Sequence, residues 1–199
     1  MKTNFLKIDH MKNMGNYKKI MIGLFLSLGF TACSDDEKIP EPIHEEELIT
    51  TMEIVLSPQD FGEVVTLSYR DLDGDGPGEP IIENGVLMAN ATYFGEIILL
   101  NETVEPAEDI SLEIEEEGAD HQFFFHNDFG AETSYKDQDE NANPIGLLFE
   151  LKTNTPGTGS FQVILRHEPD KTAPGVKEGN IENAGGTTDI SVNFEVEVQ

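Results

Sequence analysis

The run Asp71-Leu72-Asp73-Gly74-Asp75-Gly76 sets three carboxylates at alternate positions, with Gly after the second and the third. A tight loop with that spacing can surround a Ca²⁺ ion with oxygen ligands, and Glu79 stands close enough in sequence to add another. The bland reading is a turn, in which Asp bonds its own backbone and Gly supplies positive φ. If calcium binds there, its role is structural. The histidines suggest a different chemistry. His121 and His126 are five apart, so a regular strand points them to opposite faces. His167 closes a strand and precedes Glu168 and Asp170, while His121 follows Glu115-Glu116-Glu117 and Asp120. Imidazole suits Zn²⁺ or Cu²⁺, so His121 or His126, with His167 and these acids, can build a transition-metal site. The alternative is a set of exposed histidines on an acidic protein. His44, before Glu45-Glu46-Glu47, is a weaker candidate.

The Asp71–Gly76 run resembles the first half of an EF-hand-type loop, but the twelfth position is Ile82, where a bidentate Glu is needed. No catalytic residues emerge and no enzyme is expected. There is no Gly-x-Ser-x-Gly, no phosphate-cradling glycine loop and no cysteine besides Cys33. The acids are too many for any one pair to mark a hydrolytic site. Phe123-Phe124-Phe125 is either an aromatic platform or a strand buried on both faces, and the absence of tryptophan argues against a sugar-stacking surface.

Charge narrows the partners. The chain has 12 Lys+Arg against 39 Asp+Glu, and five of the lysines but only one acid fall in the first 32 residues. The remainder therefore carries 7 basic and 38 acidic residues, a net charge of −31. Such a domain repels nucleic acid and anionic lipid and attracts cations or a basic partner.

The elements that must position these groups are mostly strands. Thr51–Ser57, 63–70, 85–89, 92–101, 121–126, 146–152 and 159–167 all read as β, and 189–198 alternates most cleanly, with Ile190, Val192, Phe194, Val196 and Val198 inward. Residues 146–152 and 159–167 are expected to form a hairpin across Thr155-Pro156-Gly157-Thr158. Residues 106–117 read as a short helix ending at Gly118, because Pro followed by acids suits a helix start and Ile110 and Ile114 are four apart. Residues 71–80, 127–144 and 168–187 read as loops. The predicted fold is mainly β, an antiparallel sandwich of about seven or eight strands with one helical insert, spanning 48–199 as one domain.

Upstream, Lys18-Lys19, the apolar run Ile20–Phe30 and Ala32 just before Cys33 have the parts of a secretory signal. The apolar run is too short to span a bilayer. The arrangement resembles a bacterial lipoprotein signal, which implies cleavage after residue 32, lipidation of Cys33 and an acidic tether over 33–47. Translation can then begin at Met11 or Met14. Ser34-Asp35-Asp36-Glu37 resembles a tag for the outer face of the outer membrane.

The Arg70–Gly76 loop, Asn101 to Glu117 and His121-Gln122-Phe123-Phe124 together resemble the small acidic lipoproteins of Gram-negative bacteria. That resemblance implies a non-catalytic cell-surface accessory to an outer-membrane nutrient receptor, capturing a metal or another nutrient. The competing expectation is a calcium-stiffened adhesive module.

Overall fold

The computed structural model describes residues 47–74 and 76–199. It is mainly β, with 47% of residues in strands and 7% helical, and its two sheets pack as a β-sandwich. One sheet runs β3 (Ile81–Glu83), β2 (Val65–Arg70), β1 (Thr51–Pro58), β5 (Thr92–Asn101), β9 (Leu148–Lys152), β8 (Glu132–Tyr135), with the two-residue β6 (Glu108–Asp109) also on β5. The other runs β4 (Gly85–Leu87), β11 (Thr187–Val198), β10 (Gly157–His167), β7 (His121–Asn127), with β4 parallel to β11 and the rest antiparallel.

Alternation decides which side chains meet between the sheets. Met52, Ile54 and Leu56 of β1, Phe149 and Leu151 of β9, and Phe161, Val163 and Leu165 of β10 form the core, together with Val192, Phe194, Val196 and Val198 of β11, which face inward as expected. On β7, Phe123 joins this core while Phe124 packs outward against Val176 and Ala184, so the phenylalanine run is a strand buried on both faces.

Three expectations need correction. Residues 146–152 and 159–167 form no hairpin: β9 pairs with β5 and β8, whereas β10 pairs with β7 and β11. Both strands carry a full apolar face, and facing one another from opposite sheets buries both faces. Thr153 turns the chain between layers, its hydroxyl donating to Met88 O at 2.6 Å and accepting from Ala91 N at 3.0 Å. Within the expected loop 127–144 lies β8, an exposed polar edge strand with no apolar run to announce it. It is fastened by the half-buried Tyr135, whose hydroxyl donates to Phe123 O at 2.7 Å; desolvation is the main reason this phenol is pushed up to about 12. Finally, the helix α1 spans Ile110–Glu116, not 106–117, because Glu108 and Asp109 first pair with β5. Asp109 caps it, accepting from Ser111 N at 3.1 Å. Ile110 and Ile114 are buried and Leu112 is 58% exposed, the result of helical rather than strand periodicity.

At one end of β1 and β2, Arg70 makes two 2.8 Å hydrogen bonds to the Glu102 carboxylate. Arg70, then Thr51, holds this carboxyl down from 4.5 to about 2. Its contribution to stability is therefore present above pH 4.5 and fades as pH falls toward 2. Arg70→Ala should return the Glu102 titration, followed by carbon-detected NMR, most of the way to 4.5.

Candidate metal centre

On the inner face of the four-stranded sheet, β7 and β10 pair Phe125 with Val163, Phe123 with Leu165 and His121 with His167. The apolar ladder of the core thus ends in a histidine pair with ring centroids 4.7 Å apart. Both are enclosed, His121 at 0% and His167 at 6% exposure.

Two carboxylates complete the cluster. Asp189 belongs to β11, where simple alternation from inward Ile190 would turn it outward. The β10–β11 register shifts, however, pairing Leu165 with Ile190 but Arg166 with Thr188, which leaves Asp189 as the extra residue of a bulge. A bulge re-aims a side chain, and here the Asp189 carboxylate is 1% exposed and faces the histidines. The chain reaches β11 through Gly185 and Gly186, both at positive φ. A Cβ on Gly186 would lie 2.2 Å from His167 O, so a side chain there would push the end of β10 away. Glu47 comes from the segment just before β1, and its carboxylate is 4% exposed.

The distances converge on a common centre. His121 Nε2 lies 3.0 Å from Glu47 Oε1 and 4.0 Å from Asp189 Oδ2. His167 Nδ1 lies 3.8 Å from Glu47 Oε2 and 3.9 Å from Asp189 Oδ1. One ligand atom from each of the four residues lies within 4.8 Å of all the others. Despite the 3.0 Å approach, His121 Nε2 makes no hydrogen bond, and neither does Glu47 Oε2, although both atoms are buried. The other ring nitrogen is engaged: His121 Nδ1–H donates to Glu117 O at 3.1 Å. A carbonyl can only accept, so Nδ1 carries a proton and Nε2 is the nitrogen that faces the cluster, the second-shell arrangement of a metal-bound imidazole.

Charge says the same. Two buried carboxylates need compensation, and a bound dication would supply it. The surroundings are negative as well: burial first, then the carboxylates of Glu117, Glu47 and Glu108, raise the Glu113 carboxyl above its usual range. This buried Glu, His, His, Asp cluster can hold a metal ion.

Of the residues singled out by sequence, His121 and His167 come together here. His126 is exposed further along β7 and pairs with Gln162, away from the cluster. Glu115, Glu116, Asp120, Glu168 and Asp170 do not belong to the four-residue group. Glu47 and Asp189 were not anticipated: one sits in a run of glutamates, and the other needs a bulge that no residue type announces.

In the 71–76 loop, Leu72, Asp73, Gly74 and Gly76 are exposed and Asp71 is half-buried. Asp71 Oδ1 accepts from Gly74 N at 3.0 Å and Asp73 Oδ2 from Gly78 N at 3.0 Å, bonds that serve the turn. Glu79 is exposed, and Asp75 lies outside the described residues, as do Cys33 and His44. Among the described residues, the four-residue cluster is the one group of His, Cys, Asp and Glu with metal-ligand spacing, and no helix is long and apolar enough to cross a membrane.

Comparison with protein-family models, curated proteins and solved structures found no match to this chain.

Proposed function

We propose that this protein is a non-catalytic, lipid-anchored binding protein of the bacterial envelope that captures a divalent transition-metal ion through Glu47, His121, His167 and Asp189, in the service of an outer-membrane receptor. The buried four-residue cluster carries this reading. Two imidazoles favour a transition metal over Ca²⁺ or Mg²⁺, which take oxygen ligands. The anchor rests on the sequence around Cys33, and the acidic surface supports attraction of cations from solution.

The test compares wild type with Cys33→Ser and His121→Ala in cells grown with trace Zn²⁺ and Cu²⁺. Wild type should fractionate with membranes and retain metal through purification without chelator. Cys33→Ser should leave the membrane yet keep its metal, whereas His121→Ala should stay anchored and lose it. A wild type that is soluble, or that carries neither Zn²⁺ nor Cu²⁺, contradicts the proposal.

A further inference from the structure

Resting on the metal reading, we infer that the centre is a closed four-coordinate Zn²⁺ site in which Glu47 is the closing ligand, so that metal occupancy clasps the start of the domain. Tetrahedral Zn²⁺ places its N and O ligands about 2.0–2.2 Å from the ion, hence roughly 3.3 Å from one another. The observed N–O separations of 3.0, 3.8, 3.9 and 4.0 Å lie on either side of that value. One ligand atom from each residue lies within 4.8 Å of the others, so side-chain adjustments of up to about 1.5 Å reach that geometry. Four protein ligands, two nitrogens and two oxygens, with side-chain exposures of 0%, 8%, 4% and 1%, form a closed rather than a catalytic site.

A closed site must open to load. His121, His167 and Asp189 all stand on β7, β10 and β11, which are paired along their length. Glu47 does not. The chain entering β1 is tied to the sheet at Thr50, whose N–H donates to Leu100 O at 2.9 Å and whose hydroxyl donates to the same oxygen at 3.1 Å. Glu47 lies three residues before that bond, and its neighbour Leu48 is 55% exposed. Three ligands are therefore held by the sheet, and the fourth is carried by residues 47–48, which precede Ile49, packed against the core, and can swing about it. Zn²⁺ enters the three-ligand half-site, Glu47 closes over it, and residues 47–48 are drawn onto the end of the sandwich. Metal occupancy is thereby expressed where the chain leads to its N-terminal anchor.

A glutamate-specific protease tests this on the full chain, because cleavage at Glu47–Leu48 requires Glu47 to leave the cluster. With free Zn²⁺ at 100 times Kd, cleavage there should slow about 100-fold relative to chelator, since only the open state is cut. Cleavage at exposed Glu63–Val64 should not change. In His121→Ala, zinc should give no protection at Glu47. If wild type binds Zn²⁺ by equilibrium dialysis but is cut at Glu47 equally fast with and without it, the clasp is overturned and the metal site stands. If wild type binds no Zn²⁺ in the same dialysis, the clasp and the metal reading fall together.

Discussion

His121→Ala and His167→Ala should each lower Zn²⁺ affinity by more than the roughly 10- to 100-fold that loss of an outer-shell partner costs. Each removes a nitrogen ligand and leaves two carboxylates and one imidazole on the ion. The effect should also appear in stability. A ligand that binds only the folded state adds about 2.7 kcal/mol at 100 times Kd. For a domain of this size each kcal/mol moves Tm by about 2–4 °C, so wild type should melt roughly 5–10 °C higher with Zn²⁺ than with chelator. Neither alanine variant should respond. His126→Ala is the matched control: its ring is exposed on the same strand, and its zinc response should equal that of wild type. Differential scanning fluorimetry of the four proteins with Zn²⁺ or chelator makes the comparison.

Asp139→Ala should be strongly destabilising, independently of metal. Lys171 is 4% exposed, and its ammonium donates to Asp139 Oδ2 at 3.1 Å, to Pro144 O at 2.9 Å and to Gly118 O. The Asp139 carboxylate also accepts from Asn141 N at 2.8 Å and Asn143 N at 2.9 Å. This pair joins the turn after α1, the segment 139–144 and the loop after β10. Truncating Asp139 leaves a buried cation without its counter-charge and two backbone donors without an acceptor, a loss of about 3–5 kcal/mol. Lys171→Met should cost less, because the carboxylate keeps its backbone donors. Burial opposes ionisation of Asp139, yet the Asn143 N–H and then Lys171 outweigh it and hold the carboxyl below its usual range. The stability it contributes is present above the ordinary value of 3.8 and disappears as pH falls through the lower folded value. Burial also lowers Lys171 despite Asp139, so the pair is best understood as fixing the loops in one arrangement. Urea unfolding at neutral pH would show the loss, and an Asp139→Ala midpoint equal to wild type would contradict it.

The layers of this fold were readable because each core strand carries its own period. Ile190 to Val198 could alternate only one way, and the i, i+4 pair Ile110 and Ile114 identified a helix inside an alternating stretch. Which strands pair is a different matter. Sequence adjacency favours β9 with β10, whereas burial of two apolar faces separates them, and no local residue pattern expresses that competition. The candidate site shared this fate. His121 and His167 were visible as strand-end ligands, but the β7–β10 register that stacks them 46 residues apart was not. Asp189 needed a bulge to turn inward. Glu47 occupied a glutamate run that reads as solvated tether.

Native mass spectrometry of residues 34–199, purified without chelator and titrated with Zn²⁺, Cu²⁺ and Ca²⁺, tests the central claim most directly. The expected result is one Zn²⁺ or Cu²⁺ per chain in wild type, lost in His121→Ala and retained in Asp73→Ala. A wild type that takes up neither Zn²⁺ nor Cu²⁺, or takes up only Ca²⁺ and loses it with Asp73, would contradict it.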